Sequence, residues 1–327
     1  MSAHSQTASS LGGIAFMCVG ILAISFNDMM FKFLSGEYAL HQLVFIRSVI
    51  AIAFSFGLLK LEGGVHLLKT RRPGLHGLRC LLIVLANMTF YATLATLPLG
   101  EATAIFFLAP LIITLLAVPI LGEKVGPMRI GAVCVGFIGV LVITRPWADA
   151  GARDAPLWVY FLPVVAATFY ALFQILTRKL GGTTRASVLA VYTQFGFIVV
   201  SSGFFLVAGD GSFAVGQTND SLVFLLRAWT WPDGNDLPLL LGLGLCTAVV
   251  GYTLSQAYRL TDAAVVAPFE YIGLPLAILW GWFMFAELPD VEASIGIMLI
   301  LGSGIFVIVR EHRMQRRLVR GHRMTGR

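Results

Sequence analysis

TDAAVVAPFEYIGLPLAILWGWFMFAE, residues Thr261 to Glu287, is long enough to cross a bilayer and yet carries a carboxylate, Glu270, in its first half. Pro268 and Pro275 flank that acid. Each proline removes a backbone donor and crowds the preceding turn, so the spacing predicts a bent or partly opened helix. An opened backbone beside a buried acid is the pattern of a binding site. The same design occurs earlier in EATAIFFLAPLIITLLAVPILGE, Glu101 to Glu123, with an acidic start, prolines at Pro110 and Pro119, and a closing Leu-Gly-Glu. The two stretches read as copies of one element.

Composition agrees with a membrane protein. The chain is 57% hydrophobic and only 12% charged, with a mean hydropathy of +0.85, where soluble domains carry roughly 25% charged residues. Cys18, Cys80, Cys134 and Cys246 all fall in apolar runs, without the spacing of a zinc site or a disulfide framework, and read as small packing residues. The net charge of +6 comes largely from Arg310 onward, where seven arginines and two histidines stand among few acids. In a membrane chain such a stretch expects an anionic lipid surface as its partner, not nucleic acid.

Ten apolar segments of about 20 residues, the length that crosses roughly 30 Å of hydrocarbon, can be marked off. They run Leu11–Leu34, Ala39–Leu61, Leu75–Leu97, Ala102–Leu121 and Pro127–Thr144, then Leu157–Leu176, Ala186–Ala208, Leu237–Tyr258, Ala263–Phe285 and Val291–Val309. Met1 to Ser10 lacks Lys and Arg, so it does not read as a cleavable signal and the first span is expected to be retained. The expected fold is therefore all-α and integral to the membrane. Its units are a five-helix repeat over 11–145, a linker at 146–156, a second five-helix repeat over 157–310 and a basic cytoplasmic tail at 311–327. Because each repeat has an odd number of spans, the second is inserted upside down relative to the first, as in many secondary transporters.

Loop charges orient the chain, since Lys and Arg near the ends of spans stay in the cytoplasm. Lys60, Lys69, Arg71, Arg72, Lys124, Arg129, Arg178, Lys179, Arg185, Arg259 and the tail arginines fall on one side, against Lys32, Arg145, Arg153 and Arg227 on the other. Both termini are expected in the cytoplasm of a cell with a bacterial-type inner membrane. In the long loop, SLVFLLRAWTW is too short to span and is expected to lie at the outer interface.

Polar residues inside the spans are the site candidates. Asp28 and Lys32 share a helix face, and Lys32 is expected to reach out to the interface. Arg47 lies at a similar depth on the next helix, where it and Asp28 either hold the hairpin together or line a cavity. Glu270 has no Lys or Arg within a turn of it in sequence and stands between prolines, which favours a functional role. Glu101 and Asp262 head their helices, where the dipole favours an acid, and Glu123 and Glu287 read as turn residues. Gln42, Asn87, Gln174, Gln194 and Gln256 suit interhelical hydrogen bonds. Tyr91, Tyr170, Tyr252, Tyr271 and Trp280 could stack on a planar or cationic substrate. The residues selected for substrate binding are Glu270, Asp28, Arg47, Tyr271, Tyr91, Gln174 and Trp280, with Pro110, Pro119, Pro268 and Pro275 as helix breaks.

No HExxH, P-loop, GxSxG or paired Asp-rich motif is present, so no catalytic residues, metal site or cofactor are expected. Without an ATP site, a carrier would draw on an ion or substrate gradient, with the proton as candidate coupling ion. The rival classes are a membrane-embedded enzyme and a structural subunit of a complex.

APLIITLLAVPILGE at Ala109–Glu123 and GAVCVGFIGVLVITRP at Gly131–Pro146, with their second-half counterparts APFEYIGLPLAILWGWFMFAE and GIMLILGSGIFVIV, resemble the EamA-like branch of the drug/metabolite transporter superfamily. The likeness runs from Gly12 to about Arg310. FNDMMFKFLSG at Phe26–Gly36 and FIRS at Phe45–Ser48 are similar to the subgroup that includes bacterial S-adenosylmethionine uptake carriers. The resemblance implies secondary transport of a small polar or amphiphilic metabolite, with S-adenosylmethionine first, and amino acids, nucleotide-like metabolites or riboflavin as alternatives in either direction. It leaves room for a homodimer.

Overall fold

The computed structural model describes residues 3–70, 72–121, 127–148, 155–180, 186–260 and 269–325. Among them there are helices, turns and no strand. That outcome suits a chain whose apolar surface faces lipid, where every backbone donor and acceptor must be satisfied within its own segment. Six helices are long and apolar enough to cross a membrane, and four shorter apolar helices accompany them.

In chain order the helices are α1 (Ala3–Leu34), α2 (Leu40–Glu62), α3 (Pro73–Leu94), α4 (Leu99–Phe106), α5 (Ala109–Leu121), α6 (Pro127–Thr144), α7 (Leu157–Leu180), α8 (Ala186–Ala208), α9 (Asp220–Leu226), α10 (Leu237–Leu260), α11 (Gly273–Phe285) and α12 (Val291–Thr325). Gly63 and Gly64, at φ 136° and 101°, stop α2 in a backbone region costly to other residues. There the Gly64 amide returns to the Leu59 carbonyl at 2.8 Å. The tail expected beyond Arg310 is not a separate segment, because α12 continues through it to Thr325.

The fourth expected span is two helices. Phe107 and Leu108 form a turn between α4 and α5, two residues before Pro110, which has no amide to give the Phe106 carbonyl. Leu111 and Ile112 bond back to the Leu108 carbonyl, each at 3.0 Å, and restart the helix. Pro119 lies inside α5 without ending it. The later copy breaks likewise: residues 269–270 are helical, Tyr271 and Ile272 turn, and α11 begins at Gly273, two residues before Pro275. Pro268 and the start of that stretch lie outside the described residues. The two breaks meet, with the rings of Phe107 and Tyr271 stacked at 5.2 Å and 29°.

Helix partners come largely from opposite halves of the chain: α1 packs on α10, α3 on α7, α2 on α8, α4 on α11 and α6 on α12. At the α6–α12 crossing a Cβ on Gly139 would come within 2.8 Å of the Gly296 carbonyl, so only glycine admits this approach. Gly136 faces Leu111 and Ser303, and a Cβ there would lie 2.3 Å from Leu111 Cδ1.

Connections 35–39, 95–98, 209–236 and 286–290 gather at one end, called here the Gly36 end. Tyr38 Oη bonds Asp236 at 2.6 Å, Gln42 donates to the Thr230 carbonyl, and Arg227 donates to the carbonyls of Ser35 and Gly36. The segment expected at the interface is a short helix, α9, capped by Asn219. Trp231 is exposed, whereas Trp229 turns inward against Phe45 and Phe205. At the opposite, Gly63 end, Ser187 on α8 donates to Glu62 on α2 at 2.7 Å.

Candidate functional site

Five helices converge on Arg47. Its side chain is 3% exposed and lies among three aromatic rings, with Cζ 4.9 Å from the centroid of Phe31, 5.0 Å from Tyr91 and 5.2 Å from Phe197. Its Nη2 donates to Asn87 Oδ1 at 2.7 Å. Its Nη1 reaches Asn27 Oδ1 and Tyr91 Oη, each at 3.3 Å, while Nε has no partner. Asn27 is fixed in turn by α10, through the Leu243 carbonyl at 3.1 Å and Thr247 Oγ1 at 2.9 Å.

Asp28 and Arg47, expected either to hold the hairpin together or to line a cavity, come together in one network without an N–O contact within 4 Å between their charged groups. The Tyr91 hydroxyl stands between, 2.9 Å from Asp28 Oδ1 and 3.0 Å from Asn27 Oδ1, accepting from Arg47. The phenol holds its place because its ring stacks on Phe31 at 3.9 Å and 17°. The guanidinium thus touches only neutral acceptors and ring faces, with the Asp28 carboxylate one hydroxyl away, an arrangement suited to an incoming planar group that carries acceptors.

Glu270, Gln174 and Tyr271 fall into a second group. Gln174 Nε2 donates to Tyr170 Oη at 2.6 Å, and half-buried Glu270 lies close enough to act electrostatically on Tyr170 and Tyr271. Tyr271 is buried with its hydroxyl unpartnered, in a slot that exists because residue 304 is glycine. A row of rings bridges the two groups: Tyr91 to Phe90 at 5.5 Å, Phe90 to Phe106 at 5.1 Å, and Phe106 to Tyr170 at 5.4 Å.

Other candidates lie elsewhere. Trp280 donates to Ser25 Oγ at 3.3 Å and packs on Phe26, away from the Asn27 face of α1. Pro275 is exposed on the apolar stripe of α11 with Ile272, Leu279 and Phe283, so its ring does not line the site even though the break precedes it. Lys32 is buried at the Gly36 end. Its Nζ is 2.9 Å from Glu287 Oε1 and donates to the Leu97 carbonyl at 2.7 Å, with Phe285 beneath it. Glu287, expected as a simple turn residue, completes this clasp by accepting the Leu99 amide at 3.3 Å.

The sequence reading does not single out Asn27, Phe31, Phe197, Thr247 or Arg79. Arg79 is a second buried guanidinium, donating to Thr177 at 2.8 Å and Thr193 at 3.3 Å over the Phe173 ring. Its signal was available, since an arginine well inside an apolar span is a site candidate by default.

The profile of the EamA-like transporter family matches residues 11–145. A riboflavin transporter of Rhizobium johnstonii is 33% identical over 94% of this chain and 91% of its own length. Another riboflavin transporter, from Vibrio cholerae, is 30% identical over 94% and 96%. An S-adenosylmethionine uptake transporter of Rickettsia felis is 28% identical over 94% and 96%. One chain of known crystal structure shares the fold with a TM-score of 0.59 at 19% identity, covering 96% of this chain and 99% of that one. With full-length relatives at this identity, the chain belongs to the EamA-like transporters of the drug/metabolite transporter superfamily and is a multi-pass membrane transporter of small metabolites, not an enzyme.

Proposed function

We propose that this protein is a gradient-driven carrier for a metabolite with a planar heteroaromatic ring, a flavin first. The observation that carries the reading is Arg47, buried among neutral acceptors and three ring faces at the head of an aromatic row that ends at Tyr170. A planar heteroaromatic ring can exchange places with those rings at little cost, and its carbonyl oxygens offer acceptors to the guanidinium. The relatives at 33% and 30% identity, both named riboflavin transporters, point the same way.

S-adenosylmethionine is the second reading, favoured by the two carboxylates, Asp28 and Glu270, at opposite ends of the row. A carboxylate at Glu270 can exchange a proton for a cationic group, which would make the proton the coupling ion.

The architecture proposed with this function is ten spans in two inverted repeats, 11–145 and 157–310, joined by 146–156. Helix pairing supports it. Exchanging the first five spans with the second five turns the α1–α10 contact into the α7–α3 contact and maps α2–α8, α6–α12 and the meeting of the breaks onto themselves. The loop charges support an inner-membrane location with the Gly63 end and both termini in the cytoplasm.

The test is uptake of labelled riboflavin and labelled S-adenosylmethionine into proteoliposomes holding the purified protein. Saturable riboflavin uptake, blocked by excess unlabelled flavin, is expected. Uptake of S-adenosylmethionine alone would install the second reading, and uptake of neither would overturn both.

A further inference from the structure

Between α2, α8 and α10 lies a partly open groove, whose free space of about 410 Å³ includes room open to the surroundings. Each helix presents a short polar or small face to it at helical spacing: Ser55 and Glu62 from α2, Ser187 and Gln194 from α8, Thr247, Gly251 and Gln256 from α10. Thr247 belongs also to the site, since its hydroxyl accepts from Asn27, the neighbour of Arg47. The groove therefore runs from the Arg47 network toward the Gly63 end. From Thr247 to Gln256 it follows α10 for nine residues, roughly 13 Å.

Its chemistry is uncharged over most of that length. Gln194 is 7% exposed, and its Oε1 is buried without a partner, an acceptor left open in a place where that is costly. Among the described lining residues the charged group is Glu62, at the far end, where it accepts from Ser187 at 2.7 Å. No Lys or Arg stands among them, so they supply no counter-charge to a carboxylate or phosphate. The space beside Gly251 is open, for an added Cβ would meet nothing within 4 Å.

We infer that this groove is a second subsite that takes a neutral, hydroxyl-bearing chain attached to the ring bound at Arg47, with Gln194 Oε1 accepting from one hydroxyl. The inference rests on the ring-binding reading above and assigns the rest of the substrate: a polyhydroxylated tail, not an acidic one. An extended chain of about five carbons is shorter than the groove. The tail and the ring would then be read by different helices, the ring by α1, α2 and α3 and the tail by α8 and α10.

The experiment compares riboflavin with lumiflavin, the same ring carrying a methyl group in place of the hydroxylated chain. In proteoliposomes each competes for uptake of labelled riboflavin. The wild-type protein is expected to prefer riboflavin by about three- to tenfold, the worth of a neutral hydrogen bond or two. Gln194→Leu keeps the bulk and removes the acceptor, and should bring the preference close to one with lumiflavin affinity unchanged. Gly251→Leu fills the groove from the other wall, and should weaken riboflavin while sparing lumiflavin. Because neither change touches Arg47, Tyr91 or the ring row, loss of both ligands together would mark a damaged site and overturn the two-part reading. Wild-type preference retained in both variants would overturn the groove alone and leave the ring site standing. A wild-type protein that takes up no flavin would overturn the ring reading and the groove with it.

Discussion

Replacing Arg47 by methionine separates a structural arginine from one that holds substrate. The guanidinium makes one short bond, to Asn87 at 2.7 Å, and two long ones at 3.3 Å, and touches three rings. A bond of this charged kind contributes about 1.5–3 kcal/mol at good geometry, the long pair less, and ring contacts out of water about 2 kcal/mol. Against these stands a desolvation penalty of several kcal/mol for burying the ion, so the arginine roughly breaks even. Arg47→Met, which keeps an unbranched apolar stem without the charge, should therefore leave the melting temperature in detergent within a few degrees of wild type. Uptake should suffer far more: loss of one charged hydrogen bond to substrate, about 1.5–3 kcal/mol, is roughly ten- to hundredfold in apparent affinity. Melting curves and uptake kinetics on the same preparation provide both numbers. A variant that melts far below wild type while its folded fraction transports with unchanged KM would refute the reasoning and make Arg47 a brace between α2 and α3.

Glu270→Gln should abolish concentrative uptake of a cationic substrate and flatten its pH profile, since the amide keeps the shape but exchanges no proton; unchanged uptake at every pH would leave Asp28 and Arg47 as the better site. Lys32→Met or Glu287→Gln should loosen the clasp at the Gly36 end and raise thiol labelling of a cysteine placed at Leu99, which is buried in the closed form. The swapped pair, Lys32→Glu with Glu287→Lys, should recover part of the protection, and indifference to all three would remove the clasp from the transport cycle. A cysteine at exposed Gln217 should react with an impermeant reagent from outside intact cells, and one at Gly321 only after the cells are opened. Labelling of both from one side would contradict ten spans.

The helices were legible because an apolar run has few alternatives in lipid: among the described residues long apolar runs between charged loops became helices, six of them long and apolar enough to cross a membrane. The break before Pro110 was legible for the same reason, a missing amide that no neighbour can replace. What proline does not encode is where its ring points, since the amide is lost whichever way the helix faces, and Pro275 accordingly faces outward. The partners of Lys32, the Leu97 carbonyl and Glu287, were not legible, because they lie far along the chain and no local spacing announces them. Asn27 escaped notice beside the more conspicuous Asp28, although it is Asn27 that ties α1 to α10. Asp28, Arg47 and Tyr91 could be chosen as residue types out of place in hydrocarbon, but the phenol standing between the charges depends on a ring stack that only the folded chain assembles.

The stacked pair Phe107 and Tyr271 ties one kink to the other. Straightening either segment would pull its ring from the stack, and Tyr271 cannot move freely, being seated in a slot where residue 304 leaves room for hydrogen alone. If the two breaks act as hinges, a shared bearing would make them turn together. For a carrier, that would be protection against leakage: halves that moved independently would at times stand open to both sides, and ions would run down the membrane potential through the gap. An interlock where the breaks meet would forbid that state mechanically, as the gates of a canal lock are geared so that the second cannot lift before the first is shut.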